Sequence, residues 1–230
     1  MKAETKDIVL VGDSAFAEVA YEYFTHDSPY RVVAFAVNKA YRKRDELFGL
    51  PVVDLETIQE QYPPESHHAH IALVYNKLNR NRERLYNDMK QKGYTLANYI
   101  SSKAFVWQNV EFGDNVFIFE DNTIQPFVKI GSNTVLWSGN HIGHHSTIGD
   151  HVFISSHVVI SGFCSVGDYT FMGVNSTVGN NIDVGKDCLV GSGALIVKHT
   201  GDAKFFRGLK TDPAEVDIYT KLGVEPPTHA

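Results

Sequence analysis

The chain holds only two cysteines, Cys164 and Cys188, among its 230 residues. Both fall on an inward-facing phase of the repeat described below, so buried, reduced thiols are expected, not a disulfide or a nucleophile. Basic residues are in deficit: 21 Lys and Arg against 27 Asp and Glu leave a net charge of −6, which argues against nucleic acid as a general partner. No apolar run approaches eighteen residues, and the first residues lack the basic-then-apolar order of a secretory signal. Membrane insertion is therefore not expected, and a cytoplasmic location is. The first strand-to-helix turn, Gly12-Asp13-Ser14-Ala15-Phe16-Ala17, lacks the three-glycine dinucleotide fingerprint, which argues against a full NAD site. Hydrophobic content of 43% and charged content of 21% are ordinary, and the length suits one or two domains.

What the chain has is a beat of six. From Ile124 an aliphatic residue recurs at Ile130, Leu136, Ile142, Ile148, Ile154, Ile160, Val166, Met172, Val178, Val184, Val190 and Ile196. Glycine often follows it, as at Gly131, Gly143 and Gly167, and a small or β-branched residue often sits four further on, as at Thr134, Ser146, Cys164 and Cys188. A period of six fits neither a helix of 3.6 residues per turn nor a strand of period 2. It fits a prism in which six residues make one face and one corner, and eighteen make a coil: a hexapeptide parallel β-helix. The aliphatic and small residues point inward and stack from coil to coil. Glycine, and Asn or Asp at Asn115, Asn133, Asn180, Asp150 and Asp168, are read as tolerating the turns. Upstream the beat continues as Val110 and Val116, with a two-residue insertion inferred at 122–123, so the helix is expected over about 104–200.

The first hundred residues alternate short apolar runs with helical ones. Strands are expected at Asp7–Val11, Arg31–Val37, Val52–Val53, Ala69–Val74 and Thr95–Tyr99, and helices at Ala15–Phe24, Leu55–Gln61 and Asn79–Lys92. This alternation implies a small parallel sheet, whose ligands bind at the carboxyl ends of the strands. Those ends carry Gly12, Asp13, Ser14, Asn38, Tyr75 and Asn76, and the helix N-terminus after Gly12 suits phosphate. The fold expected is an α/β Rossmann-like domain over 1–100, an all-β helix over 101–200 and a capping tail over 201–230.

Together the two halves resemble the bacterial sugar acyltransferases of the PglD and NeuD type. The resemblance implies a left-handed β-helix, a homotrimer with active sites between subunits, and acetyl transfer from acetyl-CoA to an amino group of a nucleotide-linked sugar, with no metal. The family's active-site stretch corresponds to Gly139-Asn-His-Ile-Gly-His-His-Ser-Thr-Ile-Gly-Asp150. By that resemblance His144 is the general base. The family's acidic neighbour falls on His145, which supplies no negative charge; a second family histidine falls on Phe153, and an asparagine near the acceptor on Trp137. Trp137, His145 and Phe153 are therefore expected around a reshaped acceptor pocket. The resemblance also places coenzyme A along Gly173, Asn175, Gly191 and Gly193, with Arg207 and Lys210 of the tail toward its phosphates.

A neutral imidazole suits proton removal from an attacking amine near neutral pH. The beat places His144 outward, two residues past Ile142. Gly162 lies eighteen residues further, one coil on, where its N–H is expected to meet the oxyanion. Asn38 and Asn76 are candidates for a base or ribose, and Arg80 or Arg82 for a pyrophosphate. The cluster His141, His144, His145, His151 and His157 invites a competing zinc reading, as in the gamma-class carbonic anhydrase fold. No tightly spaced Cys or carboxylate set accompanies it, and His151 and His157 are expected to be solvated. Transfer to a sugar hydroxyl and a non-catalytic binding helix are the remaining alternatives.

Overall fold

The computed structural model describes residues 6–227. Six strands form the first sheet: β1 (Lys6–Val11), β2 (Tyr30–Val37), β3 (Glu46–Leu47), β4 (Leu50–Asp54), β5 (His67–Ile71) and β6 (Thr95–Leu96). They lie in the order β3-β4-β2-β1-β5-β6, all parallel except the β3–β4 pair. β1 reads as a continuous apolar run because both its faces are covered. Ile8 and Leu10 pack toward α1 (Ala15–His26), while Val9 and Val11 pack toward α2 (Ile58–Gln61) and α3 (Arg80–Gln91). Gly12 ends β1 at φ +127, and a Cβ there would stand 2.8 Å from the carbonyl oxygen of Ala72, so only glycine fits.

Three stacks of two-residue strands form the prism that follows. Face one begins at Tyr99–Ile100, face two at Phe105–Val106 and face three at Glu111–Phe112. Successive strands on a face pair in parallel at an offset of eighteen, as in Phe117↔Val135 and Val135↔Phe153. All thirteen aliphatic residues from Ile124 to Ile196 are buried, none more than 5% exposed. Each contributes on the order of 1.5–3 kcal/mol by burial. Cys164 and Cys188 lie free in the same core.

The structure corrects the sequence reading at three points. First, the beat does not slip before Ile124: it runs back unbroken through Ile118, Phe112, Val106 and Ile100, with no insertion at 122–123. Val110 and Val116 belong to the second inward position, four after Val106 and Phe112, which shifted the apparent phase. The irregularity lies at the other end, where Leu189↔Phe205 and Val190↔Phe206 pair at an offset of sixteen. Second, glycine after the aliphatic residue does not serve the turn. A Cβ on Gly131 would stand 2.5 Å from the backbone carbon of Gly149 in the next coil, so close stacking demands it. Third, the left-handed residues sit three after the aliphatic one and are mostly not glycine: Asn115, Phe127, Asn133, His145, Phe163 and Tyr169 among them. Asp150, Asp168 and Asn180 each precede such a residue. Their side chains instead accept from the backbone N–H of Ser132, Asp150 and Gly162 in the coil before.

The α/β domain rides on face one and on the corner between faces three and one. Phe16, Tyr23 and Phe24 of α1 pack on Phe117, with Phe119 beside them. Asn115 accepts from the Ile71 N–H at 2.8 Å, and Lys90 pairs with Asp114 at 2.6 Å. Glu83 accepts from the Tyr169 hydroxyl at 2.9 Å.

Candidate functional site

The two exposed faces of the prism differ in chemistry. Face three presents Glu111, Lys129, Thr147, Ser165 and Asp183, whereas face two exposes Phe105, Trp107, Val159, Leu195 and Val197. His144 stands on the corner between them, opposite face one and the domain it carries. Its backbone is fixed from both neighbouring coils: the His144 N–H donates to Gln125 Oε1 at 2.9 Å, and its carbonyl accepts from the Phe163 N–H at 2.9 Å. The imidazole is exposed and lies over Gly162, where a Cβ would come within 2.8 Å of Cε1 and 2.9 Å of Nε2. Among the described residues, nothing hydrogen-bonds Nε2. Nδ1 lies 3.1 Å from His145 Nδ1.

His145 adopts the left-handed corner conformation, φ 59, in a column with Phe127 and Phe163 one coil below and above. Its ring stacks between theirs, with centroids at 4.5 and 4.8 Å. Phe127 and Phe163 are 56% and 54% exposed, so an apolar wall stands beside His144. Trp137 and Phe153, expected around the acceptor pocket, stand apart from this wall. Trp137 stacks on Phe119 at 4.3 Å, and Phe153 is buried under Tyr75 at 5.0 Å, both on face one beneath the α/β domain. Within one chain neither is brought to His144.

Gly162 also needs a correction. Its N–H already donates to Asn180 Oδ1 at 3.0 Å, so it is not open to an oxyanion in this arrangement. The bare Gly162 backbone instead forms the floor under the imidazole. Gln125, Phe127 and Phe163 escaped the sequence reading, which also took Asn180 only for a turn residue, although a ruler of eighteen finds the last three: 145 ± 18 and 162 + 18.

At the carboxyl edge of the sheet, Gly12, Asp13, Ser14 and Asn38 gather as expected. Asp13 faces Arg44 at 3.8 Å, and Ser14 caps α1 without a side-chain bond. Asn38 bridges Glu56 and Arg84, each at 3.1 Å. Asn76 is exposed on the loop after β5. The arginines expected at a pyrophosphate are committed elsewhere. Arg80 donates to Asp187 at 2.5 Å and lies 3.3 Å over the Tyr169 ring. Arg82 is fully buried, donating to the carbonyl oxygens of Asn133 and Val152, and burial lowers its pKa to about 9. Both tie the domain to the helix.

Asn175 and Gly193 stand on the corner between faces one and two, with Gly173 and Gly191 on the face-one side of it. They occupy the opposite edge of face two from His144. Arg207 and Lys210 are exposed beyond the last strand, Lys210 pairing with Asp212 at 3.0 Å. His151 is buried, not solvated: it contacts Asn133 at 2.8 Å, and burial lowers its pKa. His157 is exposed. No group of three or more His, Cys, Asp or Glu that could hold a metal occurs among the described residues, and no helix among them is long and apolar enough to cross a membrane.

A family model described as bacterial transferase hexapeptide (six repeats) matches residues 127–162. A comparison with curated proteins finds no match. Among solved structures, the chain is similar to the acetyltransferase domain of PglB from Neisseria gonorrhoeae FA1090, with 19% identity and a TM-score of 0.78 over 87% of this chain and 95% of that one. The same domain in complex with acetyl coenzyme A aligns with the same score over 88% and 96%. PerB from Caulobacter crescentus, in complex with CoA and GDP-perosamine, is 23% identical with a TM-score of 0.75 over 86% and 92%. These likenesses establish the fold: an α/β domain followed by a hexapeptide β-helix, as the sequence reading expects.

Proposed function

We propose that this protein transfers an acetyl group from acetyl-CoA to the amino group of a nucleotide-linked sugar, with His144 as general base. The observation that carries the reading is an exposed imidazole with a free Nε2, seated on bare backbone at the edge of an exposed apolar face. In this scheme the sugar nitrogen attacks the thioester carbonyl carbon. The C–N bond forms as the nitrogen's proton passes to His144 Nε2, and collapse of the intermediate breaks the C–S bond and releases the thiol, which takes up a proton. The nature of the solved relatives, one bound to acetyl coenzyme A and one to CoA and GDP-perosamine, supports the substrate classes.

The placement of the parts supports a trimer. The α/β domain rides on face one and His144 stands on the opposite corner, so a sugar held at the carboxyl edge of the sheet must reach the His144 of another copy. Packing through face two sets the His144 corner of one prism beside the Gly173–Gly193 edge of the next, and buries Leu195 and Val197, now 65% and 60% exposed. The wall of Phe127 and Phe163 favours an acceptor with an apolar edge, such as a deoxysugar methyl.

Replacing His144 with Ala tests the assignment. Turnover falls by roughly two decades or more with assembly and CoA binding intact; near wild-type turnover sinks it. A panel of nucleotide-linked 3-amino and 4-amino deoxysugars, scored by free thiol release, identifies the acceptor.

A further inference from the structure

Among the described residues, the two imidazoles at the His144 corner have no hydrogen-bond partner but each other. Among the described residues no carboxylate or carbonyl accepts from either ring; the one polar contact is Nδ1 to Nδ1 at 3.1 Å. Two ring nitrogens at that separation hold one proton between them: one donates, the other accepts. The ring that donates through Nδ1 has a bare Nε2 when neutral, and the ring that accepts carries its proton on Nε2. The contact therefore fixes both tautomers together.

We infer that His145 is a positioning residue: its Nδ1 accepts from the Nδ1–H of His144 and so holds the lone pair of His144 at Nε2, the ring nitrogen left without a hydrogen-bond partner among the described residues. The inference rests on the acyl-transfer reading for its catalytic meaning, but not for its geometry. His145 is suited to the part because it cannot turn away. Its backbone is held at φ 59, with its N–H donating to the Pro126 carbonyl at 3.1 Å, and its ring is clamped between Phe127 and Phe163. His144 stands perpendicular to it, at 87°, and also edge-on to Phe163 at 87°. When His144 takes the substrate's proton at Nε2, its Nδ1–H stays on the same acceptor, so no group has to reorganise. A neutral imidazole thus does the orienting that a carboxylate does elsewhere, without placing a negative charge beside the incoming acyl donor.

The test uses His145→Phe. Phenylalanine already occupies the same left-handed position at 127 and 163, φ 64 and 57, so the column accepts it while the acceptor nitrogen is lost. Nitrogen-15 imidazole spectra of the full-length protein, at mildly alkaline pH and without substrate, report the tautomers directly. His144 is expected as Nδ1–H and His145 as Nε2–H in the wild type, with His144 losing its Nδ1–H preference in His145→Phe. A wild-type His144 carrying its proton on Nε2, or an unchanged tautomer in the variant, overturns the inference even if the protein has no acetyltransferase activity at all. In turnover, His145→Phe lowers kcat at least about tenfold with KM for both substrates within about twofold, and His145→Glu recovers part of the loss. Equal kcat in wild type and His145→Phe overturns it too.

Discussion

At the scale of residues, the site depends on one missing methyl. The imidazole of His144 occupies the space a side chain at 162 would need. Gly162→Ala is therefore expected to displace the base. The conflict is with a side-chain tip at an exposed corner, so thermal stability changes by less than about 1 kcal/mol while turnover falls about tenfold or more. Unchanged turnover with an intact fold would contradict this. The outward placement of His144 was legible in the sequence because the beat fixes which way each position points, while its assignment as a base came from the resemblance. The state of its neighbour was not: a corner residue stacked between two phenylalanines is visible only once the coil length is used as a ruler between columns. Arg80 and Arg82 show the opposite failure. Their place at the start of a charged helix suggested a pyrophosphate, but carried no sign of Tyr169, Asp187 or the carbonyl groups that hold them.

At the scale of elements, the prism rests on two separate demands that the sequence reading merged. The left-handed corners tolerate Asn, His, Phe and Tyr, whereas at Gly131 and Gly143, each following an aliphatic residue, a Cβ would stand 2.5 Å from backbone of the next coil. Gly131→Ala sets a Cβ against fixed backbone in the next coil and is expected to cost about 2 kcal/mol or more, read as a lowered urea midpoint. Asn181→Gly, at an exposed left-handed corner, separates the two demands by leaving the coil spacing untouched, and the urea midpoint is expected to change little. Thirteen rungs were legible because aliphatic side chains in one phase have no other explanation. The earlier rungs were not, because Phe112 breaks the aliphatic column while Val110 and Val116 fill the small-residue position with valine. The sheet of the first domain was legible from its alternation of runs. Its docking on face one was not, since Phe117, Phe119, Trp137 and Phe153 look outward by the beat and are covered only by tertiary contact.

At the scale of the whole molecule, the junction of the two domains is sensitive to acid. His70 is fully buried, its Nδ1–H donates to the Ala97 carbonyl at 2.9 Å, and burial brings its pKa down from 6.5 to about 4. Its ring packs on Phe24 and on Phe117 of face one. Below pH 6.5 the unfolded chain takes up the proton that folded His70 refuses. Stability is therefore full above that value and falls progressively as pH drops toward 4, with His151 adding in the same direction. The loss from His70 is roughly 2–3 kcal/mol by pH 4.5, measured as urea midpoints across pH; a flat profile between pH 7 and 4.5 contradicts it. The shortened final coil has a consequence of another kind. An eighteen-residue coil leaves at its end an open row of backbone donors and acceptors in register for the next eighteen, so a regular prism is a template for a second chain to continue. Here the last edge is stepped: face one gains a final strand, Phe205–Phe206, while faces two and three end at Leu195–Ile196 and Asp183–Val184. Such an edge offers another copy no complete coil to continue, so end-to-end growth of the prism is not expected.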